Sequence, residues 1–213
     1  MENKVFLSIE TSMHRIFLLL YNQGKVFHIN KDVKISIETE LNILIDELFK
    51  KAKLEYTCLE ALFVSLGPGS FTGTRVGLSA AKAISVALGK NLYGYSNFST
   101  LYNQAEIKKK IPHKKKLCLL IRASKQEFYQ QTYFKGKFDK MRVVSVKEIK
   151  NNYDKEIYHV GNFKNIHKIR NYSFCASDKF ATLRTIEGIN LDQYKENNSA
   201  LLPLYVKKHY AER

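Results

Sequence analysis

The chain repeats itself. Ile9, Ser12, Tyr21, Gly24 and Lys25 recur at a constant offset as Ile121, Ser124, Tyr133, Gly136 and Lys137. In the first copy Val5, Leu7 and Ile9 alternate as a strand, and Thr11 to His14 make a turn. Arg15 to Tyr21 form a second strand, and Asn22-Gln23-Gly24-Lys25 turn the chain into a third, Val26 to Ile29. The second copy reads Leu117 to Ile121, a turn at Ala123 to Gln126, then Glu127 to Tyr133, Lys135-Gly136-Lys137 and a strand from Phe138. Two lobes of like topology follow, each opening on a β-meander.

After the first meander the apolar period changes. Ile37, Leu41, Leu44, Ile45, Leu48 and Ala52 fall on one face of a helix that Ser36 or a neighbour opens and that runs to about Lys53. Ala61 to Leu66, apolar but for Ser65, reads as a strand buried on both faces. It feeds a helix from Phe71 to Leu88, closed by Gly89, then a strand Asn91 to Tyr95 and a helix from about Phe98. The unit is βββαβαβα. The second lobe repeats it more weakly, with Glu156 to Val160 as a strand and Asp178 to Glu187 as a helix. The pattern predicts an α/β chain of two duplicated lobes, residues 1–105 and 106–213.

Charge separates the lobes. Residues 1–105 carry 11 Lys/Arg against 9 Asp/Glu, a net of +2, whereas residues 106–213 carry 24 against 11, a net of +13. A basic lobe attracts phosphate backbones, so RNA is one reading; an Asn-, Ile- and Lys-rich composition is the other. The runs Lys108-Lys109-Lys110 and Lys114-Lys115-Lys116 around Pro112 read as a solvated loop between lobes. The longest apolar run, Ile16 to Tyr21, is far short of a membrane helix, and Glu10 interrupts the only candidate signal-peptide core, so a cytoplasmic location is expected. Cys58, Cys118 and Cys175 are expected as buried free thiols.

The sharpest motif joins the buried strand to its helix: Gly67-Pro68-Gly69-Ser70-Phe71-Thr72-Gly73-Thr74-Arg75-Val76-Gly77. Its glycines and the amides of a helix start suit an anion, and equally a tight turn with Ser70 or Thr72 as cap. It is neither a Walker A loop nor a dinucleotide fingerprint. Gly73, Gly77 and Ala81 recur every fourth residue and clear one helix face for close approach, by another helix of the lobe or by a partner chain.

That motif, with Ala81-Lys82 beyond it, resembles the signature of the TsaB/YeaZ family of bacterial tRNA threonylcarbamoyladenosine biosynthesis proteins. Ile9-Glu10-Thr11-Ser12, Glu127-Phe128-Tyr129 and Pro203-Leu204-Tyr205-Val206-Lys207 extend the similarity over nearly the whole chain. The resemblance implies two ribonuclease-H-like lobes of the actin, Hsp70 and sugar-kinase kind. It also implies a non-catalytic subunit that binds and activates a paralogue, TsaD, the transferase that modifies tRNA adenosine 37. An ATPase, TsaE, and tRNA would join through the assembled complex. The helices Ile37–Lys53 and Phe71–Leu88 would form the partner face through Ile37, Leu41, Leu44, Ile45, Leu48, Gly73, Gly77 and Ala81, a face that could also serve a homodimer.

The residues bear on whether the chain is itself an enzyme. TsaD-like catalysts hold a metal through a His-x-x-x-His pair, and no two of the six histidines here are four apart. Phosphotransferases of this fold grip metal and phosphate with a carboxylate from each lobe; Glu10 supplies one, but the repeat places Arg122 where the second belongs. The expectation is a catalytically silent chain with no metal or cofactor of its own, ATP and metal residing on partner subunits. A phosphotransferase or ATPase of the same fold and an independent tRNA-binding protein are the alternatives.

Overall fold

The computed structural model describes residues 4–108, 116–151, 156–163, 172–175, 178–189, 191 and 201–206. Contacts divide the chain into one unit of Met1–Ser96 with Thr185–Leu204 and a second of Asn97–Arg184 with Tyr205–Arg213.

In the first unit β1 (Val5–Glu10), β2 (Arg15–Asn22) and β3 (Lys25–Asp32) form the antiparallel meander, and β4 (Ala61–Ser65) and β5 (Asn91–Tyr95) extend it in parallel from β1, giving the order β3-β2-β1-β4-β5. Helix α1 (Ile37–Ala52) starts at Ser36, whose Oγ accepts from the Thr39 amide, and ends at Lys53 in the left-handed region. Helix α2 (Phe71–Leu88) is capped by Ser70 and closed by Gly89. Both helices pack on one face of the sheet. Leu41, Leu44, Ile45 and Leu48 of α1 join Leu78 and Ala81 of α2 against Leu7, Ile9, Leu18, Leu20, Leu62 and Val64. The other face carries an aromatic row in which Phe6 stacks on Tyr21, Phe63 packs edge-on to Phe6, and Tyr93 stacks on Phe63. Both faces of β4 are thus covered, which is why its sequence is apolar from Ala61 to Val64.

The glycine stripe of α2 meets the turn between β1 and β2. A β-carbon on Gly73 would overlap the Thr11 carbonyl oxygen, and one on Gly77 would overlap Thr11 Oγ1. The contact is reinforced by hydrogen bonds: Thr11 Oγ1 donates to the Gly73 carbonyl at 2.6 Å, and the Ser70 amide donates to the Ser12 carbonyl at 2.7 Å. Of the two readings left by the spacing, Gly73 and Gly77 serve packing inside the unit, but against a turn rather than a second helix.

The second unit repeats the meander with β6 (Lys116–Arg122), β7 (Glu127–Phe134) and a third strand split into β8 (Lys137–Phe138) and β9 (Arg142–Ser145), both paired to β7. After α4 (Val146–Asn151), β10 (Ile157–Gly161) and β11 (Tyr172–Phe174) join in parallel beside β6. Residues 162–171 are too few for a second helix of the 18 residues in α2, so the second copy is abbreviated there. Helix α3 (Asn97–Ile107), which the spacing assigned to the first lobe, packs on the second sheet. Phe98, Leu101 and Ala105 share a core with Leu117, Leu119, Ile121 and Val160. Helix α5 (Lys179–Glu187) is capped by Asp178, whose second oxygen accepts from Gln104 of α3 at 2.6 Å.

The repeat also slips in register. Glu10 pairs with Phe17 in the first unit, so the offset would pair Arg122 with Tyr129; Arg122 pairs with Phe128 instead. The cause lies in the turns. Glu10 Oε1 accepts from the amides of Ser12 and Met13, whereas Arg122 has only donors, and the amides of Ala123 and Ser124 turn to the Glu127 carbonyl. The second turn closes one residue shorter, and β7 presents its opposite set of side chains to each face.

Among the described residues no helix is long and apolar enough to cross a membrane. All three cysteines are free; Cys118 and Cys175 are buried as expected, but Cys58 is exposed at the end of a short 3-10 turn, Tyr56–Cys58.

The Thr11 contact predicts a change of sign. Gly77→Ala gains about 1 kcal/mol of helix propensity but overpacks Thr11 Oγ1, a penalty of about 1–3 kcal/mol. In urea unfolding it should destabilise the wild-type chain and be neutral or stabilising in a Thr11→Ala background. Destabilisation of equal size in both backgrounds would show that the glycine answers to something else.

Candidate functional site

The glycine-rich loop leaves β4 at Leu66 and enters α2 at Phe71. Its amides are largely committed: Gly67 donates to Ser65 Oγ, Ser70 to the Ser12 carbonyl, Gly73 to Ser70 Oγ and Thr74 to the Ser70 carbonyl. A β-carbon on Gly69 would overlap the Ser12 backbone, so this glycine too is fixed by close approach. The Gly67–Pro68 peptide is cis, and Gly67 takes a φ of 90° that favours glycine. Of the two readings of Gly67, Pro68, Gly69, Ser70, Phe71, Thr72, Gly73 and Arg75, these bonds favour the tight turn with a helix cap. Ser70 is the cap. The C-terminal segment of the family resemblance docks beside it, the Leu204 amide donating to the Leu66 carbonyl at 2.8 Å. Lys207 of that segment lies outside the described residues.

Glu10 ends β1 at the same turn and is 2% exposed. Its Oε1 accepts from the Ser12 amide at 2.6 Å, Ser12 Oγ at 2.7 Å and the Met13 amide at 3.1 Å, while Oε2 is buried without a hydrogen-bond partner. Burial raises its pKa above the ordinary 4.5, outweighing the Ser12 hydroxyl, the charge of Arg15 and the two amides, which act the other way. Arg122, at the repeat-equivalent position of the second unit, is exposed, and its amide donates to Asn162 Oδ1 at 3.2 Å. No group of three or more His, Cys, Asp or Glu side chains suited to a metal occurs among the described residues. Cys118, with its thiol pushed up to about 12 by burial, is unsuited to act as a nucleophile.

The side chains that the family resemblance assigned to a partner face are turned into the first unit itself. Leu41, Leu44, Ile45, Leu48 and Ala81 are 0–2% exposed and belong to the core of the first unit, Ile37 packs partly buried against it, and Gly73 and Gly77 face Thr11. Helical amphipathicity marks an apolar stripe without saying what covers it, and here the unit's own sheet does. The outer face of α2 is the surface those residues leave. Thr72, Arg75, Ser79, Ala83, Val86 and Ala87 are exposed there, Val86 to 81%. The guanidinium of Arg75 lies 3.7 Å from the centroid of the half-exposed Phe71 ring. Only Arg75 and Lys82 are charged in the whole helix, a feature visible in the sequence once the buried face is set aside. Ile43 of α1, 56% exposed, is a further apolar side chain on the outside of the unit.

Two sheets, each an antiparallel meander extended by parallel strands, define an α/β chain built on a duplicated unit. The model of a family described as TsaD, tRNA N6-adenosine threonylcarbamoyltransferase, matches residues 36–189, more than half of the chain, and the chain belongs to that family. Within it the similarity is to TsaB and YeaZ. The TsaB of Buchnera aphidicola subsp. Schizaphis graminum is 25% identical over 132 residues, 62% of this chain and 61% of that protein. The TsaB of Buchnera aphidicola subsp. Baizongia pistaciae is 32% identical over 103 residues, 48% of this chain and 46% of that protein. The chain thus spans about half to three fifths of these relatives' lengths. A Pseudomonas aeruginosa crystal structure, described as an uncharacterized protein with similarity to peptidase YeaZ, superposes with a TM-score of 0.74 at 17% identity. That match covers 96% of this chain and all of the other, and it establishes the fold.

The raised pKa of Glu10 has a testable sign. The folded chain holds this proton more tightly than the unfolded chain, so the group's contribution to stability is full below about pH 4.5 and declines as pH rises through the folded-state value. Glu10→Gln keeps an oxygen acceptor for Ser12 and Met13 and removes the titration. Its stability relative to wild type, followed by urea unfolding across pH, should rise with pH; a constant difference would contradict the assignment.

Proposed function

We propose that the chain is a non-catalytic subunit that binds and activates TsaD in threonylcarbamoyl modification of tRNA adenosine 37. TsaE and the tRNA join through the assembled complex. Family membership and the TsaB names of its relatives supply the pathway. The observation that carries the subunit reading is the outer face of α2, exposed, nearly uncharged and built of small and apolar side chains. Small residues let a second helix approach closely, and a face with few charges loses little hydration when covered.

The turn supports the non-catalytic part. In this reading Glu10 and the loop amides hold the fold together, so they are not offered to a nucleotide, and ATP and metal reside on the partner subunits. In the absence of TsaD the same face of α2 serves a homodimer, which makes the two associations mutually exclusive.

Ala83→Arg and Val86→Arg place a charge on this face without touching the core. Each should leave the melting temperature unchanged and weaken TsaD binding by about a hundredfold or more, as expected for a charge left unpaired in a covered interface. Size-exclusion chromatography with light scattering and calorimetry read both. Wild-type TsaD affinity in both variants would place the interface elsewhere.

A further inference from the structure

The β7–β8 hairpin of the second unit carries an exposed ring set among lysines. Phe134 is 36% exposed at the end of β7. Lys137 pairs with it across the hairpin, and Lys116 begins β6 next to Leu117, which pairs with the preceding Tyr133. The Nζ atoms of Lys135 and Lys116 lie 5.3 and 5.7 Å from the centroid of the Phe134 ring. All three lysines are exposed. Residues 133–142 hold Lys135, Lys137, Lys140 and Arg142 against the single acid Asp139, whose Oδ1 is engaged by the Thr132 amide at 2.6 Å.

The duplication provides an internal comparison. Gln23-Gly24 and Lys135-Gly136 make the same two-residue turn, all four with positive φ. The geometry therefore requires neither an aromatic nor a cluster of cations, because the first unit closes it with Asn22 and Gln23 where the second has Phe134 and Lys135. Register separates the two ends further. Asn22 opposes Val5, but with the one-residue slip Leu117 opposes Tyr133 and Phe134 lies one residue beyond that pair. Across the hairpin, Tyr133 and Phe138 are committed to packing with Tyr102. Phe134 faces the other way, where its neighbours are lysines.

The geometry points to a single-stranded RNA contact at this hairpin, one unpaired base stacking on Phe134 while Lys116, Lys135 and Lys137 hold the flanking phosphates. A flat ring beside several cations matches a nucleotide's flat base beside its charge, and stacking tolerates any base. Lysines alone would suit any polyanion; the ring selects one with a π-face. The assignment rests on the reading of the chain as a subunit of a tRNA-modifying complex, and it names the part of the basic second unit that touches the RNA.

The chain has no tryptophan, so Phe134→Trp installs a lone fluorophore at the site. Titrated at low salt with a single-stranded RNA decamer, the full-length variant should show quenched emission, and an RNA duplex of equal length should quench it less. Phe134→Ala should weaken decamer binding roughly five- to 150-fold, and Asn22→Ala at the equivalent turn should leave it unchanged. Lys135→Gln and Lys137→Gln should each lower the salt slope by about 0.7. No quenching, or equal affinity in Phe134→Ala and wild type, would overturn the site. So would an oligoglutamate that binds as tightly as the RNA and is equally indifferent to Phe134. TsaD binding measured on the same proteins separates the two readings. Lost RNA contact with intact TsaD binding removes only this site, and quenching without TsaD binding removes only the subunit reading.

Discussion

The first turn of α2 rests on the turn between β1 and β2, and the arrangement of the first unit depends on that seat. Two elements far apart in sequence approach until backbone meets backbone at Gly69 and Gly73 and the Thr11 side chain meets Gly77, positions that only glycine fits. The turn beneath them is held by a buried carboxylate. Glu10 gathers the Ser12 and Met13 amides, the Ser12 carbonyl then receives the Ser70 amide, and Thr11 ties to Gly73. Removing any one of these groups leaves a buried donor or acceptor without its partner, an outcome that costs more than the bond itself contributes. The motif that looks most like a ligand loop in the sequence is thus consumed by the fold.

That commitment explains how the two copies of one topology diverged. A carboxylate at the end of β1 can collect amides, and a guanidinium at the end of β6 cannot. The second turn closes on Glu127 instead, the strands slip by one residue, and the side chains of β7 exchange faces. Gln131 and Tyr129 therefore oppose Leu119 and Ile121, where the first unit sets the buried Leu20 and Leu18 against Leu7 and Ile9. Phe134 is carried to the rim of the sheet by the same slip. The exchange of Glu10 for Arg122 thus goes with a shorter turn and a shifted register in the second copy.

Much of this was legible beforehand. The repeat located β2 and β7 to within one residue at their ends, and Ser36, Ser70 and Gly89, among the residues the sequence offered as helix ends, are the observed caps. What escaped was whatever depends on the third dimension. The stripe of Gly73, Gly77 and Ala81 signals close approach, but not whether a helix, a turn or another chain makes it. Leu41, Leu44, Ile45 and Leu48 read as a partner face because an apolar stripe looks the same whether its own sheet or a second protein covers it. The register slip lay hidden because it is set by hydrogen bonds in a four-residue turn rather than by the apolar pattern. Helix α3 was placed with the wrong sheet because chain order alone does not say which way Phe98 and Leu101 face. Lys109, Lys110, Lys114 and Lys115, expected in a solvated loop, lie outside the described residues.

The functional reading follows from the same economy. With the glycine loop and the buried carboxylate engaged in the fold, the proposals fall on two outer surfaces, the nearly uncharged face of α2 and the basic hairpin of the second unit. The central claim is that the chain acts through partners and carries no nucleotide chemistry of its own. Titration calorimetry of Mg²⁺–ATP into the purified chain, alone and after addition of TsaD, tests it most directly. The account predicts no saturable heat from the chain alone and a saturable signal only when TsaD is present. A stoichiometric, magnesium-dependent signal from the isolated chain would contradict it and establish a phosphotransferase-like site in its place.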